Sequence, residues 1–303
     1  MTVSRSYPLP DLDAAIGITV YRPNPLLLFP LVEAAVATRW PTYICIDGSD
    51  KQALDDYTSK RLRQIEGLTI LQTQQNSGVG SALNALVVQA RCDQMTAILL
   101  LDQDSDLPVG LPYNLLEGMK RLRSLDHRVA AIGPRPVAAT GSGTKAPHYR
   151  IRSGSEGSLR TVDFVITSGA LIDLDAYRAV GRFRSSFKMD MIDVEWCFRA
   201  WSKGYSVWFD ETEALPHRVG SGTVHLGPIN FHRQSLERMV SYFEARTFAL
   251  RLRHMPLRWK VFTTLYIPIQ IAAYVLHQGG GAYCLRKLMA AALRGLRRER
   301  EDV

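Results

Sequence analysis

The chain is poor in cysteine, and its four thiols (Cys45, Cys92, Cys197 and Cys284) fall in no CxxC or metal-like spacing. That argues against a disulfide scaffold and fits a reducing compartment. Met1 to Ile16 holds prolines and acids but no apolar core segment, so it does not read as a signal peptide. Long hydrophobic runs are also missing. The uncharged stretch Val261 to Leu276 includes Pro268 and Gln270 and falls short of the roughly twenty apolar residues of a spanning helix. No internal repeat is visible. No GxGxxG follows the first strand signal; Tyr21-Arg-Pro-Asn-Pro25 stands there instead. This argues against a dehydrogenase, and the lack of a Gly-rich, Lys/Arg-bearing loop there argues against a nucleotidyltransferase. Acids are scarce towards the end. From Arg246 onward the only ones are Glu299, Glu301 and Asp302, against bases that include Arg251, Arg253, Arg258, Lys260, Arg286, Lys287, Arg294, Arg297 and Arg298. Such an asymmetry points to a polyanionic partner, either membrane headgroups or nucleic acid.

What is present is the composition of a globular chain. With 303 residues, 46% hydrophobic and 22% charged, it makes one large domain or two small ones with a sizeable core. Strand and helix signals alternate through the first half. Strands are expected at Ala15–Tyr21, Tyr43–Ile46, Leu68–Leu71 and Ala97–Leu101, with helices at Pro25–Thr38, Asp55–Gln64, Gly80–Arg91 and Leu111–Leu122. This order predicts a parallel, doubly wound sheet. Further strands are expected at Val129–Ile132, at Val162–Ile172 with a turn inside it, and at Tyr205–Phe209, and helices at Leu174–Ala179 and Val194–Ser202. Thr140–Ser158, rich in Gly, Ser and Lys, reads as a mobile loop. Ser235–Arg253 fits a long helix. Val261–Leu276 reads as a helix or helical hairpin lying in a membrane interface, or as a buried core helix. Beyond it, Leu285, Leu288, Met289, Ala292, Leu293 and Leu296 form one apolar stripe with the arginines largely off it, the pattern of a membrane-surface helix or of a terminal helix packed on its own domain.

The richest segment is Ile98-Leu-Leu-Leu-Asp102-Gln-Asp104-Ser-Asp106. An apolar run that ends in alternating acids is a buried strand with carboxylates at the end where open α/β sheets bind ligands. It is also a plain acidic turn. Other strand ends carry Thr19, Tyr21 and Asp47, which can stack on and hydrogen-bond a nucleobase. Asn76-Ser-Gly-Val-Gly80 precedes a helix and reads either as an anion-binding amino terminus or as an ordinary loop. Asp193 begins a helical pattern, where the dipole and free amides stabilise a carboxylate, and reads alone as a simple cap. His217 sits in a loop, as a structural histidine or a metal ligand.

These segments resemble family 2 glycosyltransferases, and within them the bacterial rhamnosyltransferase-like branch. The resemblance runs through Ile18-Thr-Val-Tyr21, Ile46-Asp-Gly-Ser49, Gln75-Asn-Ser-Gly-Val-Gly80 with Asn84, and Leu101-Asp-Gln-Asp-Ser105. It continues through Ile166-Thr-Ser-Gly-Ala-Leu171, Asp193-Val-Glu-Trp-Cys-Phe-Arg199 and His217-Arg-Val-Gly220. It implies an α/β GT-A fold, a Rossmann-like, mostly parallel sheet flanked by helices. It implies a catalytic domain over 1–232 and a membrane-associating helical region over 233–303. It assigns Thr19, Tyr21, Asp47, Asn76 and Asp102 to the nucleotide and Asp104 and His217 to Mg²⁺ or Mn²⁺. Asp193 becomes the base, with Ile192 where the family has an acid, so Asp190 and Glu195 stay in play. Ser168, Gly169, Trp196 and Arg199 are expected at the substrate. The implied reaction inverts a sugar, with L-rhamnose favoured by the Gln103 context, from a nucleotide diphosphate donor onto a glycan or lipid-linked glycan. UDP-hexose and galactofuranose are alternative donors. The implied setting is the inner face of the cell membrane, bound to anionic lipid and not to nucleic acid. Lys145, Arg150 and Arg152 are expected near the diphosphate by charge and position. The competing reading is a non-catalytic basic module that binds membrane or nucleic acid.

Overall fold

The computed structural model describes residues 13–49, 53–138, 146–217, 223–226, 229–232, 234–277 and 281–299. The first half follows the alternation in the sequence. Its elements are β1 (Ala14–Val20), α1 (Pro25–Ala37), β2 (Thr42–Ile46), α2 (Asp56–Leu62), β3 (Leu68–Gln72), α3 (Val79–Cys92), β4 (Ala97–Asp102) and α4 (Leu111–Ser124). β1 and β2 are buried along their whole length, and β4 up to its final aspartate, as parallel strands covered on both faces must be. Local chemistry sets the helix starts. Asn24 caps α1 through the Leu26 amide with Pro25 in the first turn, where a missing N–H costs nothing.

The second half departs from simple alternation. β5 (Val129–Ala138) is followed by β6 (Ile151–Glu156) and β7 (Leu159–Val162), an antiparallel hairpin. Then come β8 (Ala170–Asp173), α5 (Leu174–Val180), α6 (Ile192–Ser202) and β9 (Ser206–His217). All nine strands form one sheet in the order β3-β2-β1-β4-β8-β5-β9-β7-β6. Pairing is parallel from β3 to β4, and β8 enters antiparallel to both β4 and β5. The turn expected inside Val162–Ile172 is a loop over 163–169 that carries Ser168 and Gly169, between β7, which ends at Val162, and β8. The stretch expected as a mobile loop contains β6, while 139–145, with Lys145, lies outside the described residues. β9 runs eight residues past Phe209 to His217, because an irregularity at Pro134/Arg135 lets its pairing with β5 resume at Ala214.

Helices cover both faces of the sheet over two apolar cores, one under α3, α5 and α6 and one under α1 and α4. A short hairpin, β10 (Thr223–Leu226) with β11 (Ile229–His232), leads to α7 (Leu236–Ala249), α8 (Leu257–His277) and α9 (Gly281–Arg297). These three helices share a third core, built from Phe243, Ile267, Ile271, Tyr274, Cys284 and Leu288 among others. Gly295 sets how closely α9 meets α7, because a Cβ there would collide with Thr247 Oγ1 and the Glu244 carbonyl. Val261–Leu276 lies within the single helix α8 and is not a hairpin. With its first turn included, Leu257–Leu276 is long and apolar enough to cross a membrane, although a third of it is buried inside the protein. The stripe expected on α9 is split. Leu288 and Ala292 are buried, whereas Leu285, Met289, Leu293 and Leu296 are exposed.

Candidate functional site

The carboxyl ends of the central strands open into a crevice of about 350 Å³, whose walls include Thr19, Tyr21, Asp47, Asp102, Asp104, Ser168, Asp193 and His217. Thr19 of β1 stands in register with Asp102 of β4. β4 ends in a turn built by Ser105, whose amide donates to the Asp102 carbonyl and whose Oγ accepts from the Asp102 amide, each at 3.1 Å. Ser105 Oγ lies 2.9 Å from Ser168 Oγ, which ties the β4 turn to the loop before β8. The acidic run is a turn, and it displays Asp102 and Asp104 to the crevice. Asp193 stands in the first turn of α6, where its Oδ1 accepts from the Val194 amide at 2.7 Å. The residue that opens this helix, Met191, has φ +74°, a costly conformation for a side chain of that size and one that clusters at functional sites. His217 closes β9 at the same rim.

A second cavity of about 850 Å³ adjoins this crevice, sharing Tyr21, Asp47, Val79, Met189 and Arg238, and takes Asn76 into its wall. Asp47 does more than face the two spaces. Its Oδ1 accepts from Ser77 N (2.9 Å) and Thr73 Oγ1 (3.1 Å) and its Oδ2 from Gly78 N (2.8 Å), so it also holds the 76–78 loop. The glycines of that loop pack against the 184–188 backbone. The Val79 amide donates to the Lys188 carbonyl at 2.7 Å, and a Cβ on Gly78 would stand 2.6 Å from the same oxygen. The amino terminus of α3 is thereby occupied by backbone.

The crevice gathers negative charge. Burial, followed by the charges of Asp104 and Asp193, pushes the Asp102 carboxyl up to about 7. Asp193 is pushed up to about 6, chiefly by burial, with the Val194 amide opposing and Asp190 adding to the rise. Asp190 is also raised by burial, against the pull of Arg238. Its Oδ1 lies 3.5 Å from Arg238 Nη2, while the buried Oδ2 has no hydrogen-bond partner. Crowded carboxylates beside an imidazole suit a hard divalent cation. No three His, Cys, Asp or Glu side chains among the described residues enclose an ion by themselves. That fits a cation whose remaining ligands come from water and substrate phosphate.

Three expected substrate residues stand elsewhere. Trp196 is in the core, its Nε1 donating to the Gly181 carbonyl at 2.9 Å and its ring stacked with Tyr177. Arg199 is buried on Glu195, with Nε to Oε1 at 3.1 Å and Nη2 to Oε2 at 3.0 Å. Gly169, at φ +88°, lets its loop pass Pro134 and Leu215, and its amide donates to Leu100 O. Glu195 is no base. Burial would raise its carboxyl, but His254, Arg199 and Arg184 outweigh that and hold it below the ordinary range. Arg150 and Arg152 line a separate groove at β6, where Arg152 Nε donates to Asp163 at 2.8 Å, and neither lines the crevice. Sequence reasoning missed Arg238, which comes from α7 to both cavities, and the bonding of Gln103.

The chain covers 92% of its length on S. aureus TarS 1–349 crystallised with UDP-GlcNAc, at TM-score 0.54 and 11% identity, and spans 79% of that chain. It matches GalNAc-T7 crystallised with UDP, GalNAc and Mn²⁺ at TM-score 0.57 and 11% identity over 88% of its own length. The fold is GT-A. The GT-A unit seen here spans only 58% of the GalNAc-T7 chain. No family model matches the chain. Over 253 residues it is 24% identical to dTDP-rhamnosyl transferase RfbF of Shigella flexneri, covering 78% of this chain and 81% of that protein. The GT-A fold and this relative together support a family 2 glycosyltransferase, the family that the motifs resemble.

Proposed function

We propose that the chain is an inverting, metal-dependent glycosyltransferase that moves a sugar from a nucleotide diphosphate donor to a hydroxyl of a lipid-linked or polysaccharide acceptor. The observation that carries this reading is the convergence of Asp102 and Asp104 from β4, Asp193 from α6 and His217 from β9 on one crevice with Thr19, Tyr21 and Asp47. In this reading Tyr21, Thr19, Asp47 and Asn76 receive the nucleoside and Asp102 faces its ribose. Asp104 and His217 are the residues that would hold Mg²⁺ or Mn²⁺, which when bound neutralises charge on a departing diphosphate. Asp193 takes the proton of the attacking hydroxyl, and a carboxyl raised to about 6 is a stronger base than an ordinary one at neutral pH. Ser168 holds the Asp102 turn in shape at the sugar end. The donor favoured is dTDP-L-rhamnose, supported by the Shigella relative. The UDP-sugar complex of TarS keeps UDP-hexose and galactofuranose donors in the test.

The experiment is a donor panel with Mg²⁺ or Mn²⁺, read by nucleoside diphosphate release. Release from dTDP-L-rhamnose above the UDP-sugars is the expected result. Retention on heparin with no turnover of any donor would favour a non-catalytic basic module instead.

The same reading places the chain on the inner membrane face. Neither α8 nor α9 contains an acid, and both carry bases, among them Arg258, Lys260, Arg286 and Lys287. Between those bases lie exposed Val261, Phe262, Leu265, Leu285, Met289 and Leu293. Apolar side chains bordered by cations suit an anionic lipid surface. A second copy of this face would set like charges against each other.

A further inference from the structure

Gln103, between the two aspartates, makes a specific contact. Its Oε1 accepts from the Tyr21 amide at 2.7 Å and its Nε2 donates to the Tyr21 carbonyl at 3.0 Å. The reason lies in the strand ends. The β1–β4 ladder stops at Thr19 and Asp102, where β4 turns away around Ser105. Tyr21, one residue past β1, would lose its ladder partner there, and the Gln103 amide replaces the missing peptide. Only a primary amide presents a donor and an acceptor in that plane, whereas a carboxylate offers acceptors alone. Tyr21 is held from its other side as well. Arg22 has φ +48°, its amide donates to Ala53 O at 2.8 Å, and its guanidinium lies 5.0 Å from the Tyr21 ring centroid. Tyr21 so fixed lines both cavities.

We propose that Gln103 is a positioning residue for the nucleotide: it sets the Tyr21 platform and does not read the donor sugar. This rests on the nucleotide-sugar reading above. It moves the middle residue of Asp-Gln-Asp from donor choice to nucleotide affinity.

The test uses the full chain with Gln103→Met, which loses both bonds, and Gln103→Glu, which keeps only the acceptor. Binding of dTDP and UDP is measured by calorimetry, and donor turnover by steady-state kinetics. Gln103→Met is expected to raise nucleotide Kd and donor KM about tenfold, equivalent to about 1.4 kcal/mol. Its kcat changes less and its ranking of donor sugars is unchanged. Gln103→Glu falls between Met and wild type. In a Tyr21→Ala background the Gln103→Met effect on Kd disappears, because the coupling runs through the ring. A changed donor ranking, or a Kd effect that persists in full without Tyr21, overturns the proposal, as does wild-type affinity in Gln103→Met. Wild-type protein that binds neither nucleotide would overturn the nucleotide-sugar reading itself, a separable result. If Gln103→Met fails to fold, Gln103→Glu and the Tyr21→Ala cycle with it carry the same comparison.

Discussion

Asp193 is the residue whose environment makes the sharpest prediction. Its carboxyl is raised to about 6 from the ordinary 3.8, so a base at this position is lost as pH falls through about 6. The kcat/KM profile should show its acid limb there, and a limb near pH 4 would count against the assignment. Asp193→Asn should lower transfer by about a hundredfold or more while nucleotide binding, read by calorimetry, survives. The same shift has a stability consequence of opposite sense. Between the unfolded and folded values the native chain holds a proton that the unfolded chain has released, so stability falls as pH rises from about 4 to about 6. Asp193→Asn removes that cost. It should melt about 2 °C higher than wild type at pH 7.5, with the difference closing near pH 4 in a thermal scan.

At the scale of elements, the apolar run of β4, the alternation of the first half and the strand-end polar residues were legible, because burial on both faces and ligand-facing carboxyl ends both leave local patterns. What escaped was long-range. Nothing near Trp196 or Arg199 announces that one fills the core beside Tyr177 and the other satisfies buried Glu195. Nothing in Asn76–Gly80 says that its glycines meet the 184–188 backbone. Arg238 sits on a helix remote in sequence from the crevice it enters. Two variants follow. Arg199→Met leaves Glu195 short of its bidentate partner and should cost about 3 kcal/mol by urea unfolding, while the folded enzyme keeps its donor KM. Gly78→Ala combines a positive φ of +88° with a 2.6 Å approach to Lys188 O. It should cost about 1–3 kcal/mol, and unchanged melting would show that the α3 amino terminus is not packed as described.

At the scale of the whole molecule, the exposed face of α8 and α9 is the feature on which the proposed membrane location rests. Replacing Leu285, Met289 and Leu293 with Gln leaves the buried side of α9 intact. It should abolish sedimentation with vesicles rich in phosphatidylglycerol, while wild type sediments with these and not with phosphatidylcholine alone. Wild-type sedimentation by the triple variant would assign lipid contact to another surface. A simple deletion of α9 is the poorer probe, since it would strip Leu288 and Cys284 from the third core.

Gly295 gives that last point a wider meaning. By letting α9 lie directly on α7, it brings Arg294 and Arg298 to the larger cavity, where Arg294 Nε meets Glu244 at 3.0 Å. The helix that presents exposed leucines on one side is therefore masonry for the cavity wall with the other. A load on the exposed side of α9 is delivered to the cavity wall without any intervening hinge, and a bulkier residue at 295 would open a seam between α9 and α7.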